Sequence, residues 1–222
     1  YLGIHDILDP FRFAIEMQDA RRYHSRYPQD TRDTDEFELI RLYAELHFKN
    51  LLGRDTLGNA RPVFIRYGIH NFEFLDRRLL GNNQWRNTAN TFQGFHAALG
   101  QESSDWQLDL LAVQPLRRDL HEWDRPVEQQ WVYAVIGHWR GWAEIITLEP
   151  YYLALHQSAH AGVAERMVHN PGLRGYGVIA GTGFDYDASF NYQFGQNGPQ
   201  KVRAWSATAE IGYNFKLPWK PR

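Results

Sequence analysis

The chain has 222 residues, a formal net charge of −2, no cysteine and 15% aromatic residues. The near-neutral charge gives no global basic field for nucleic acid, and the missing cysteines exclude disulfide, zinc-thiolate and thiol chemistry. No apolar run approaches the ~20 residues that a transmembrane helix needs. The opening YLGIHDILDP lacks the basic and apolar regions of a signal peptide, so the chain is expected to begin after any targeting segment or to be part of something longer.

Period-two alternation dominates, and helical periodicity is weak throughout. A first candidate strand lies near 11–21. Ile40, Leu42, Ala44, Leu46 and Phe48 then alternate with Arg41, Tyr43, Glu45, His47 and Lys49. Val63, Ile65, Tyr67 and Ile69 alternate with Phe64, Arg66 and His70. Phe95, Ala97 and Leu99 oppose His96, and Trp106, Leu108, Leu110 and Ala112 oppose Gln107 and Asp109. Weaker candidates fall near 130–139, 149–157 and 172–181. The clearest strand runs from Phe184 to Phe194, with Phe, Tyr and Ala on one face and Asp, Ser, Asn and Gln on the other. The next, from Trp205 to Phe215, repeats the scheme. This gives about ten strands, most near the ~9–11 residues that cross a bilayer when tilted.

The connections alternate in length. Residues 22–36, 72–90, 115–129 and 158–170 are long and polar, while 100–105, 140–144 and 181–183 are short; 50–61 is intermediate. Short turns at one end and long loops at the other are the habit of an outer-membrane barrel. Alternating strands also build soluble sandwiches and small barrels, so a soluble all-β carbohydrate-binding or carbohydrate-cleaving module stands as an alternative. Two details favour the membrane. Rings cluster at both ends of the apolar faces, as in interfacial girdles, and the opposite faces are polar along their whole length, which suits a wet lumen. One domain, 1–222, is expected, a partial barrel truncated at both ends.

No catalytic signature stands out, and neither a metal centre nor a cofactor is expected. His156 and His160 are four apart but fall at a strand end or in a loop, where solvated histidines are the simpler reading. Asp185 and Asp187 share a strand face about 7 Å apart; glycosidase carboxylates suit such spacing, but polar lining of a lumen explains it more simply. The basic residues form a better constellation. Arg41 and Arg66 lie on polar faces, Arg77, Arg78 and Arg86 lie in the irregular stretch 77–95, and Arg203 has the parity of the lipid-facing row, which puts it at the rim. Arginine presents a planar fork that matches carboxylates. Guidance of an anion through a pore and pairing with nearby acids such as Asp76 both fit these positions.

Residues 76–94, DRRLLGNNQWRNTANTFQG, resemble a signature of the alginate-export family of bacterial outer-membrane barrels, in which D-x-R-L-L-G-N-x-x-W-x-N-T is followed by a T-F-D-G-x-R strand start. FDYDASFNYQFGQ, VRAWSATAEIGY and PWKPR are similar to that family too, so the likeness runs in order from about residue 37 to 222. Asp76, Arg78, Gly81, Asn82, Trp85, Asn87 and Thr88 match. Phe74 and Leu75 replace Tyr-Gly, Ile69 stands where an arginine is usual, and Gln93 and His96 replace the acid and base of the strand start.

The resemblance implies an all-β fold, an antiparallel up-and-down transmembrane β-barrel, of which about ten strands of about eighteen are present. It implies the outer membrane of a Gram-negative bacterium, contact with outer-membrane lipid, and passive passage of an anionic, alginate-like polysaccharide or another hydrophilic solute. Periplasmic export components would be further partners, nucleic acid none, and catalysis is not expected. A general non-specific porin of the same architecture is the alternative. Arg41, Arg66, Asp76, Arg78, Arg86, His96 and Arg203 are the expected pore-lining or substrate-binding set. The stretch 77–95 is expected to fold into the pore, anchored by Leu79 and Trp85 and held by Asn82, Asn83 and Asn87, so that Arg78 and Arg86 narrow and charge it.

Overall fold

Alternation gives each strand two chemically different faces, and the fold follows from which face is turned away from water. The computed structural model describes residues 2–4, 9–24, 26–82 and 86–215. Ten long strands are β2 (Phe11–Ala20), β3 (Asp35–Phe48), β4 (Val63–His70), β5 (Phe92–Gly100), β6 (Trp106–Arg117), β8 (Gln130–Trp139), β9 (Thr147–Gln157), β10 (Arg166–Val178), β11 (Phe184–Asn197) and β12 (Gln200–Tyr213). Two short ones, β1 (Leu2–Ile4) and β7 (Arg125–Pro126), complete the set. The strand order is β1-β2-β3-β4-β5-β6-β8-β9-β10-β11-β12, every neighbour following in sequence, with β7 paired to β6 in a side hairpin. The pairings with a defined register are antiparallel. The fold is therefore the expected all-β, up-and-down antiparallel sheet. Connections 21–34, 71–91, 118–129 and 158–165 lie at one end of the strands, and 101–105, 140–146 and 179–183 at the other. The alternation fails at 49–62, which is long, and at 198–199, a tight hairpin at the long-loop end.

The contacts resolve two compact units. The first comprises Tyr1–Lys49, Val63–Ala97 and Leu111–Val132, and the second Asn50–Pro62, Ala98–Leu110 and Tyr133–Arg222. Both invert the usual burial pattern. In the first, Leu42, Ile65, Tyr67 and Phe95 are 44–50% exposed, while Glu45, His70 and His96 on the opposite face are 2–7% exposed. In the second, Tyr133, Val135, Trp139 and Leu173 are exposed, while Asp109, His138, Glu149 and Asn170 are buried. Leaving a large apolar side chain in water forfeits about 1.5–3 kcal/mol relative to burying it, so the outward faces call for lipid. A soluble sandwich would instead bury that face against a second sheet. Rings mark the strand ends, with Phe11 and Phe48 of the first unit at the ends of β2 and β3 away from connection 21–34. Trp139, Phe184 and Tyr213 do the same in the second.

Two extra residues in β3 change which side chains point inward. Glu16 pairs with Arg41, but Met17 pairs with Leu39, so Ile40 is bulged; a second shift separates Gln18↔Glu38 from Ala20↔Asp35. A bulge places consecutive residues on one side. Ile40, assigned to the lipid-facing row by its parity, is therefore buried on the inward face together with Glu38.

The expected strand 172–181 also shifts, because β10 begins at Arg166. Asn170-Pro171-Gly172 reads as a turn but runs through the strand. The ladder to β9 is continuous there, and the ladder to β11 skips Asn170 and Pro171, which removes the need for a proline N–H. The ring of Tyr151 lies over the neighbouring Gly172, occupying the space a Cβ would take.

Gly68 is the tightest approach in the first unit. Its φ is 145°, and a Cβ there would stand 2.1 Å from the Leu42 carbonyl oxygen. Gly68→Ala is expected to destabilise the folded protein by about 2 kcal/mol or more, read as a lower urea midpoint for the heat-modifiable form on gels. An unchanged midpoint would show that β3 and β4 tolerate the side chain.

Candidate functional site

The inward face of the first unit is built from residues of β2, β3 and β4. Glu45, 6% exposed, receives Arg66 at 2.5 Å and Arg12 at 3.8 Å, with His47 at 3.3 Å. The Arg66 guanidinium also lies 4.4 Å from the ring centres of both Tyr43 and Phe64, a cation–π arrangement that fixes it against the wall. Arg41 pairs with Glu16 at 3.3 Å and remains 42% exposed. His96 is buried among the rings of Phe64, Phe72 and Phe74 at centroid distances of 5.0–5.9 Å. Its neighbour His70 bonds the Gly94 carbonyl through Nε2 at 3.0 Å. This ring cluster supports the start of the irregular segment.

Segment 71–91, between β4 and β5, lies against that inward face. Its first part is a tight turn. The Phe74 N–H donates to Leu80 O, Leu75 and Arg77 adopt left-handed φ of 58° and 64°, and Asp76 accepts from the Arg78 N–H and guanidinium. The second part is clamped. Ala89 donates its N–H to the Glu38 carboxylate, and its carbonyl accepts from Arg118 Nε at 2.7 Å. Arg118 also donates to Asn90 Oδ1. Asn82 Oδ1 accepts the Asn90 N–H at 3.1 Å, and Asn90 Nδ2 returns to the Gly81 carbonyl. The Thr88 hydroxyl is directed at the carbonyls of Thr31 and Arg32, and Asn87 donates to Asp33 O. Bonds to ionised partners are the strong ones, about 1.5–3 kcal/mol each, so Arg118 dominates the attachment and the buried Glu38 adds a second tie.

Loop ionisation matches this packing. Burial pushes the Asp124 carboxyl above the ordinary range, opposed by the Asp119 N–H and the Arg118 charge. Hydrogen bonds from Arg32 hold Asp30 down at about 2.

The expected residues distribute as follows. Arg41, Arg66 and His96 lie on the inward faces of β3, β4 and β5, and Asp76 and Arg78 pair with each other at 3.1 Å in the segment. Arg86 is exposed, close enough to Asp30 for its charge to lower that carboxyl's pKa. Arg203 sits opposite Phe194 on the outward face, where its strand parity puts it, so it does not join the expected pore-lining set. Leu79 is 41% exposed, and the buried anchor is Leu80 at 4%. Trp85 and Asn83 fall outside the described residues. A cleft of about 440 Å3 opens beside the segment, lined by Glu16, Arg41, Glu73, Asn82 and Ala89 among others.

In the second unit, a polar ladder crosses the inward face. Asp109 accepts from Gln107 at 2.7 Å and faces His138 Nε2 at 3.4 Å; His138 Nδ1 meets Glu149 at 2.9 Å. Arg174 bridges Glu149 at 3.0 Å and Asp187 at 2.5 Å. Beyond it, Ser189 bonds Thr208, and Asn191 donates to Ser206. Asp187 thus pairs with Arg174, while Asp185 accepts from Asn214. Sequence reading did not single out Arg174, His138 or Glu149. Arg174 follows the Pro-Gly pair that disguised β10, although its alternation with Gly172 and Tyr176 carries the inward parity.

No curated protein and no solved structure shows a significant match. The family model described as Alginate export matches residues 1–222, the whole chain. That match joins an inverted all-β sheet to the signature at 76–94, and the chain belongs to the alginate-export family of outer-membrane transport proteins.

Proposed function

We propose that this chain forms part of the wall of an outer-membrane channel that passes an anionic, alginate-like polysaccharide by diffusion, with segment 71–91 as its constriction. One observation carries the reading: the segment is bonded to Glu38 on the inward face of β3 and to Arg118 just after β6, while Arg78 and Arg86 on it stay exposed. Arg41 and Arg66 extend the basic lining, Asp76 sets the orientation of Arg78, and His96 backs the segment from β5. Paired guanidiniums still recognise a uronate. A carboxylate from the chain in transit exchanges with Glu16 or Asp76 at little net cost, because such exposed pairs contribute only about 0–1 kcal/mol. Weak, repeated exchange lets the polymer both enter and leave.

A general porin is the second reading. It is favoured by the carboxylates that offset the arginines, namely Glu45 beside Arg66 and Arg12, and Glu149 with Asp187 around Arg174.

Planar-bilayer conductance separates the two. Oligo-uronates are expected to block single channels at concentrations where neutral oligosaccharides do not, and absence of block would reject the polysaccharide reading. Exchanging Arg78→Ala together with Arg86→Ala should lower anion preference several-fold and leave assembly intact; unchanged selectivity would make the segment purely structural. Arg118→Ala removes about 1.5–3 kcal/mol of attachment, so conductance should rise and trypsin should cut after Arg78 or Arg86 faster. Wild-type conductance and cleavage rates would show that this clamp does not hold the constriction.

A further inference from the structure

The outward face of the second unit carries one patch that transport does not use. Met167 and His169 of β10, Phe194 and Gln196 of β11, and Lys201 and Arg203 of β12 share this face, because the register pairs His169↔Phe194↔Arg203 and Met167↔Gln196↔Lys201. They line a shallow depression of about 410 Å3. The His169 ring stacks on Phe194 at 5.1 Å and is held by the Tyr152 hydroxyl at 2.6 Å. Lys201 and Arg203 make no ion pair among the described residues, unlike Arg66 and Arg174 on the inward faces.

An outward cation on a lipid-facing strand is costly at the bilayer midplane, about 2–4 kcal/mol, and nearly free at the interface. These two lie at the interface. They directly follow the hairpin 198–199, the tightest connection at the long-loop end, so no long loop from that hairpin covers them. Toward the strand centre the same face continues as Leu173, Phe190 and Trp205, which are 47–69% exposed. Two adjacent cations above an apolar and aromatic slope match a ligand with a phosphate head and acyl chains. Arginine takes phosphate through its fork, and the lysine adds a point charge.

We propose that Lys201 and Arg203, with His169 and Phe194, bind the phosphate of an outer-leaflet glycolipid. The inference rests on the outer-membrane reading but not on the identity of the transported solute. Each basic residue near a charged lipid surface is worth roughly a five-fold change in affinity.

The test titrates detergent-extracted, delipidated protein with phosphorylated lipid A, its dephosphorylated form and inorganic phosphate, and reads lipid adducts by native mass spectrometry. Phosphorylated lipid should bind saturably, Lys201→Gln and Arg203→Gln should each weaken it several-fold, and the double variant about ten- to thirty-fold. Heat-modifiable gel mobility checks that each variant is assembled. Equal binding of the dephosphorylated form, displacement by millimolar inorganic phosphate, or an unchanged affinity in the double variant overturns the proposal. Oligo-uronate block that persists beside such a result would leave the channel reading standing and remove only the lipid site.

Discussion

A strand in hydrocarbon must satisfy every backbone group through its neighbours and leave only apolar side chains facing out. In this chain most strand polar groups are thereby sent to one face, Lys201 and Arg203 near a strand end being exceptions. Glu45, His70, His96, Asp109, His138, Glu149 and Asn170 are all nearly buried, on faces opposite exposed Leu, Ile, Val, Phe and Trp. The charged ones among them, such as Glu45, Asp109 and Glu149, find partners there, because an unpaired buried charge costs far more than a paired one. The ion-pair lattices of the two units follow from that requirement before any question of transport arises.

The lattices also change how the arginines should be read. Arg66 is held by Glu45 and two rings, and Arg174 by two carboxylates. Both are fixed parts of a wall. Arg41, Arg78 and Arg86 keep more exposed side chains. The family signature divides in a similar way. Asp76, Asn82, Asn87 and Thr88 bond backbone groups, and Leu80 is buried. Most of the motif specifies the shape of segment 71–91, and its arginines are carried on that shape.

The outward and inward rows of β4, β5, β6, β11 and β12 were legible in the sequence because strict alternation leaves no second solution. The segment's inward placement was legible through its density of Asn and Thr, which satisfy irregular backbone locally. What was hidden had local causes. A bulge carries no residue signature, so Ile40 was assigned to lipid. Pro171 within β10 looked like a turn, because its tolerance depends on which neighbouring strand needs the N–H. The Glu38 and Arg118 clamp joins residues about 50 and 30 positions from Ala89, beyond the reach of any local pattern.

The two bulges of β3 act as a frameshift and its suppressor. Each inserts one residue against β2, and side chains repeat every second position, so together they add one full period. Asp35 and Arg41 keep a common phase, while Leu39 and its neighbours read out of phase between them. Losing either inserted residue alone would turn one flank of the strand inside out, sending carboxylates toward lipid. Losing both would be silent for the flanks and would erase only the site where Glu38 grips segment 71–91. Loop retention and barrel integrity are therefore separable by indels in a way that point substitutions would not reveal.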